Sequence, residues 1–168
     1  MGERSRGCDR VSLVLLLHLQ QRADRQKRDR HRADGPEKLK ILYYPDDIFV
    51  YADREKMIEV IANLITNAIK FTKEGTITVA SKVGREDNMV QVTVSDTGTR
   101  IDPEVMPKIF DKFVTKLDSG TGIGLYISKK IVEVHGRVMQ AANRQDCRGA
   151  IVSFKLPLTK TSELPESK

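Results

Sequence analysis

Tryptophan is absent from this chain of 168 residues, cysteine occurs twice, and aromatic residues make up only 5% of it. The two cysteines, Cys8 and Cys147, lie far apart, and neither has a second cysteine or a histidine at metal-ligand spacing. A disulfide framework and a zinc site are therefore excluded. Long apolar runs are missing as well. The longest, Val11 to Leu19, covers about nine residues, whereas a helix across a bilayer needs roughly twenty. The residues after it, Gln20 to Asp24, lack the small-x-small pattern of a cleaved signal, so a cytoplasmic chain is expected. The formal net charge is +6, but it is unevenly placed: residues 1–36 hold nine Arg or Lys against five Asp or Glu, and residues 37–168 hold twenty against eighteen. The larger part has no basic stripe set among aromatics, so nucleic acid is not an expected partner.

What is present falls into three segments. Residues 1–36 read as a basic, low-complexity tail or linker, because Gln20 to Pro36 offers almost nothing from which to build a core. A domain is expected over 37–159 and a short tail over 160–168. Within the domain, β-like runs at 39–44 and 48–51 precede a helix from Arg54 to about Phe71, capped by Asp53. A hairpin follows (76–83 and 89–94), then a short helix from Asp102-Pro103 to about Phe113 and a polar loop through Gly120. A helix from about Gly122 to His135, closed by Gly136, leads to two final strands (137–143 and 150–156) joined by a turn containing Asp146 and Gly149. Most strands are hairpin neighbours. The pattern predicts an α+β two-layer sandwich, a mixed and mostly antiparallel sheet with helices on one face.

On the first long helix Lys56, Glu59, Asn63, Thr66, Asn67 and Lys70 share one narrow stripe, while Met57, Ile58, Ile61, Leu64, Ile65, Ala68 and Ile69 fill the other sides. Asparagine is a poor helix former, and two of them one turn apart can present amide oxygens to a cation or ligand; a solvated face is the plainer reading of the same stripe. Asp96, at a strand end two residues before Gly98, can accept from an exocyclic amino group or close an Asx turn on its own backbone. The run Gly120-Thr121-Gly122-Ile123-Gly124-Leu125 opens the second long helix, where unpaired N–H groups favour phosphate; a tight helix entry without a ligand is the alternative.

The joint order is more specific than its parts. Asn63-x-x-x-Asn67-x-x-Lys70, Asp96-x-Gly98, Phe110-x-x-Phe113 and Gly120-x-Gly122-x-Gly124-Leu125 together resemble the catalytic, ATP-binding domain of sensor histidine kinases. That domain belongs to the GHKL superfamily with its Bergerat fold, which also includes gyrase, MutL and the large heat-shock chaperone ATPases. The four motifs look like the N box, first glycine box, F box and second glycine box, and the resemblance runs from about Leu39 to Leu158. It implies ATP and Mg²⁺ as cofactors. Asn67 would hold the metal, Asn63 and Lys70 would lie on the triphosphate, and Asp96 would meet the adenine amino group. Gly98, Ile101, Phe110, Phe113, Thr121, Gly122, Ile123, Gly124 and Leu125 would complete the binding site, with a lid over 114–119. The partners implied are a phosphoacceptor histidine domain and a response regulator.

Three departures from the family pattern bear on function. Asn63 stands where the superfamily's ATPases carry a glutamate base, and an amide is no general base at neutral pH; transfer to a protein acceptor is implied rather than hydrolysis, and Glu59 reads as solvated or structural. Arg100 and Arg137 stand where the family usually has glycine. If the backbone needs positive φ at Arg100, a side chain costs about 1 to 2 kcal/mol, and weaker nucleotide binding follows. Neither His18 nor His31 sits in a phosphoacceptor pattern, so the acceptor is expected in trans. A degenerate ATP-sensing module and an anti-sigma-type serine kinase are the alternative readings.

Overall fold

The computed structural model describes residues 9–12, 39–44, 48–84, 88–114, 120–146 and 148–158. The core grows from one helix and two strands whose apolar periods match their geometry. Helix α1 (Arg54–Phe71) buries Met57, Val60, Ile61, Leu64, Ile65 and Ala68, the i, i+3, i+4 stripe of an amphipathic helix. Asp53 caps it, its Oδ1 accepting from Lys56 N at 3.0 Å. The stripe is narrower than the sequence suggests: Ile69 and Phe71 are 39% and 38% exposed.

Strands β1 (Asp9–Ser12), β2 (Leu39–Tyr44), β3 (Phe49–Ala52), β4 (Gly75–Val83), β5 (Met89–Asp96), β6 (Met139–Asn143) and β7 (Ala150–Pro157) follow the chain order. Five of them form one sheet in the order β2-β4-β5-β7-β6, with β2 parallel to β4 and every other pair antiparallel. Helix α1 packs on β4, β5 and helix α2 (Gly124–Val134), and α2 packs on β6. This is the mixed two-layer sandwich that the sequence predicts. In β5 the alternation buries Val90, Val92, Val94 and then Asp96. The same period that builds the core thus carries a carboxylate inward at the strand's end.

Two expectations are corrected. Strand β1 pairs antiparallel with β3, and Val11 is buried in the core, so the segment 1–36 is not wholly outside the domain. Val11 joins because β3 would otherwise leave a strand edge unpaired beside the core, and a strand of four residues is too short to give a periodic signal. The helix expected over 102–113 is only a 3₁₀ turn at Met106–Lys108. Pro107 has no N–H to give the fourth preceding carbonyl, and the Asp102 carboxylate instead turns the chain by accepting from Glu104 N at 2.8 Å. Residues 13–19 of the apolar run, the two cysteines, His18 and His31 lie outside the described residues. Among the described residues no helix is long and apolar enough to cross a membrane.

Helix α2 ends in a Schellman motif, Gly136 N bonding to Glu133 O and Arg137 N to Val132 O, with Gly136 at φ +69°. His135, just before it, ties the two helices together. Asp53 N–H donates to Nε2 at 3.2 Å, which requires Nδ1 to carry the ring proton and donate to Ile131 O at 2.8 Å. Replacing His135 by Ala removes both bonds and leaves the Asp53 N–H without its protein acceptor. A loss of about 1 to 2 kcal/mol is expected, read as a lower urea midpoint with an unchanged slope; an unchanged midpoint would show that the clamp carries no net stability.

Candidate functional site

Between α1, the end of β5 and the start of α2 lies a cavity of about 830 Å³. From α1 the wall receives Asn63, Asn67 and Lys70, at helical spacing on one side. The loop after β5 adds Asp96, Gly98, Arg100 and Ile101, and the run before α2 adds Gly120, Thr121, Gly122, Gly124 and Leu125. Three separate sequence motifs thus meet around one space. Phe110, Phe113 and Ile123 do not line it. Phe110 packs against the core with Lys129 Nζ 5.9 Å from its ring centre, and Phe113 is 71% exposed at φ +64°. Of the expected lid only Val114 is described, and it lines the cavity; 115–119 lie outside the described residues.

The asparagines differ in what holds them. Asn63 Nδ2 donates to the buried Ser128 hydroxyl on α2 at 3.4 Å, which leaves its oxygen near Gly124 at the helix start. Asn67, half-buried, makes no side-chain hydrogen bond among the described residues, so its amide is available to a ligand. Glu59 is bound to Lys56 at 3.0 Å and lies off the cavity wall. Helix α2 begins at Gly124 with no side-chain cap, so its first N–H groups and the positive end of its dipole are open to an anion.

Asp96 is 6% exposed. The Asx turn forms: Oδ1 accepts from Gly98 N at 2.8 Å and also receives Ala150 N at 3.4 Å, while the residue lines the cavity. Burial pushes its carboxyl above the ordinary range; the Gly98 and Ala150 N–H groups, the nearby Thr72 hydroxyl and the Arg144 guanidinium pull it back. Gly98, which lines the cavity, is needed for packing, because a Cβ there would overlap Phe71 O and lie 2.6 Å from Thr72 Oγ1. Arg100 lies outside the positive-φ residues, as does Arg137, so the backbone strain expected at Arg100 is not incurred.

Asn143 escaped the sequence reading. Its side chain clamps the backbone of Ile101, the oxygen accepting from Ile101 N at 2.7 Å and the amide donating to Ile101 O at 2.9 Å. Thr97 Oγ1 likewise accepts from Thr76 N at 2.9 Å. Both hold the loop after β5 in place. An asparagine at a strand end before a turn is a weak signal for such a clamp, since its partner is 42 residues away.

Residues 52–160, which contain nearly all of this site, match the model of the family described as "Histidine kinase-, DNA gyrase B-, and HSP90-like ATPase". The chain is 33% identical over 127 residues to the sensor histidine kinase WalK of Bacillus subtilis (strain 168), covering 71% of this chain but 21% of WalK. It therefore spans about a fifth of that relative. Among solved structures, the catalytic domain of the histidine kinase ThkA superposes with a TM-score of 0.75 at 30% identity, over 89% of this chain and 95% of that one. ThkA in complex with the response regulator protein TrrA gives 0.72 at 29% identity, over 90% of this chain and 42% of that one. With that family model matched over more than half of its length, the chain belongs to the family of histidine kinase-, DNA gyrase B- and HSP90-like ATPases.

Proposed function

We propose that this chain is the ATP-binding catalytic domain of a cytoplasmic protein-histidine kinase. The observation that carries the reading is the single cavity in which Asn63, Asn67 and Lys70 face Asp96 on one side and the uncapped start of α2 on the other. Asp96 would accept from the adenine amino group. Lys70 and the α2 N–H groups would hold the triphosphate; the bond from its γ-phosphorus to the β,γ-bridging oxygen breaks, ADP leaves, and a phosphorus–nitrogen bond forms on the unprotonated nitrogen of an acceptor histidine. Charge neutralisation and alignment are most of what such a transfer needs.

Among the described residues no cluster of His, Cys, Asp or Glu could hold a metal. The Asn67 amide oxygen fits Mg²⁺ all the same, because that ion keeps several waters and takes one or two protein oxygens together with phosphate. When bound there, Mg²⁺ would neutralise charge on the phosphate oxygens. The absence of a carboxylate at position 63, with Glu59 turned to Lys56, favours transfer over hydrolysis. The acceptor histidine is proposed to lie on a separate domain, with a response regulator downstream, as the complex of ThkA with TrrA suggests by analogy.

Titration with a fluorescent ATP analogue tests this. Mg²⁺ is expected to tighten binding about tenfold, and Asn67→Ala to remove that gain while leaving metal-free binding in place. Supplied with an acceptor histidine domain and labelled ATP, the chain should produce an acid-labile, base-stable phosphate on that domain. Magnesium-insensitive binding would sink the reading, and tight binding without transfer to any supplied acceptor would turn it into a nucleotide-sensing module.

A further inference from the structure

We propose that Thr72 is a positioning residue for base recognition: its hydroxyl, buried between the end of α1 and Gly98, donates to Asp96 and holds the carboxylate so that Oδ2 accepts from the amino group of adenine. This rests on the proposed ATP site. Thr72 is the C-cap of α1, its N–H reaching back to Ile69 O at 3.4 Å. It is 1% exposed, and its hydroxyl has no partner of hydrogen-bond geometry among the described residues. Such a group is costly to bury, by about 1 to 3 kcal/mol, and buried hydroxyls without a partner are rare enough to require a reason.

The surroundings supply one. The loop that carries Asp96 docks on both sides of Thr72: Thr99 N donates to Phe71 O at 3.1 Å, and only a glycine at position 98 lets the backbone come within contact of the hydroxyl. Both backbone donors to Asp96 go to Oδ1, so the position of Oδ2 is not fixed by the main chain. The Thr72 hydroxyl and Asp96 Oδ1 both lie against Gly98, the first 2.6 Å from where its Cβ would stand and the second on its N–H, and the hydroxyl is among the groups that favour the ionised form of Asp96. Thr72 is not part of the cavity wall, so it acts on a ligand through Asp96.

The charged group acting on Asp96 is Arg144 from the β6–β7 turn, and those sharing the cavity wall with it are Arg148 from the same turn, Lys70, Lys73 and Glu74 at and just after the end of α1, and Arg100 and Asp102 on its own loop. All stay in place in Thr72→Val, which removes the hydroxyl and keeps the shape. The test pairs an NMR titration of the Asp96 carboxyl carbon, without nucleotide, with ATP binding at neutral pH, in the wild type, Thr72→Val and Thr72→Ser. Thr72→Val should raise the carboxyl midpoint by about one pH unit and weaken ATP binding about tenfold, and Thr72→Ser should restore both. The proposal is overturned if Thr72→Val leaves the midpoint unmoved, whatever happens to affinity, or if Thr72→Ser behaves like Thr72→Val. A wild-type chain that bound no adenine nucleotide would overturn the parent reading instead, while the titration would still report whether Thr72 acts on Asp96.

Discussion

Asp96→Asn is expected to weaken ATP binding about a hundredfold while leaving the ligand-free chain at least as stable as the wild type. The amide oxygen of Asn can take the two backbone donors, Gly98 N and Ala150 N, that now bond to Asp96 Oδ1. Its NH₂ group then faces the cavity where the carboxylate oxygen stood. A donor meets the adenine amino group, itself a donor, and a site with mismatched polar groups rejects its ligand by several kcal/mol.

The stability half follows from the direction of the Asp96 shift. Burial raises its carboxyl above the ordinary value of 3.8, so the folded chain holds this proton more tightly than the unfolded chain does. Below that ordinary value both states are protonated and Asp96 costs nothing. As the pH climbs past it the unfolded chain ionises first, stability falls, and the loss is complete once the raised folded value is passed. Asn has no proton to lose. Urea unfolding of wild type and variant, compared at neutral pH and near pH 4, should show the variant gaining relative to wild type at the higher pH. A variant that loses ATP binding only because it unfolds would fail that comparison, and one that binds ATP as the wild type does would remove Asp96 from the site.

Gly149→Ala is the substitution with the largest expected cost to the fold. Gly149 is buried in the β6–β7 turn at φ +112°, a region that side chains do not enter without strain. A Cβ built on it would overlap Asp96 O, with Asp96 C at 2.7 Å and Thr97 Cα at 3.0 Å. These are backbone atoms of β5 and its loop, so nothing soft can give way. The start of β7 must lift from β5 where Ser95 pairs with Ile151, and the Ala150 donor leaves Asp96. Overlap and strained φ together should cost about 3 to 5 kcal/mol, and nucleotide binding should fall with it. Gly136→Ala is the matched control. It also has positive φ, +69°, but no atom lies within 4 Å of the added Cβ, so about 1 kcal/mol is expected. Chemical denaturation of both variants decides it: equal losses would mean that the contact with β5 adds nothing to the conformational cost.

These two glycines show how far the chain could be read without its structure. Gly136 announced itself, because a helical period stops there and a C-cap needs that residue. Gly149 read only as a member of a turn, since the strand it touches is about fifty positions earlier and leaves no mark on its neighbours. The same division runs through the site. Asn63, Asn67 and Lys70 were legible as one stripe because helical geometry relates residues three and four apart, and the glycine run was legible as a helix start. Asp96 was legible as a strand end, but not its burial, nor the donor from Ala150. Ser128 under Asn63 and Thr72 beside Gly98 carried no signal, and Asn143 around Ile101 only the weak one of an asparagine at a strand end.

By itself, then, the sequence determined the elements whose causes are local: α1 with its Asp53 cap, the alternating strands of the sheet, the Gly136 stop of α2, and the order of the motifs from which the family follows. Only the tertiary structure decided that β1 joins β3, that Pro107 leaves a 3₁₀ turn, that Arg100 carries no backbone strain, and which side chains hold the loop that bears Asp96. Propensity, capping and period act between near neighbours in the chain. Burial, strain and hydrogen-bond partners depend on what the fold brings against a residue from far along it.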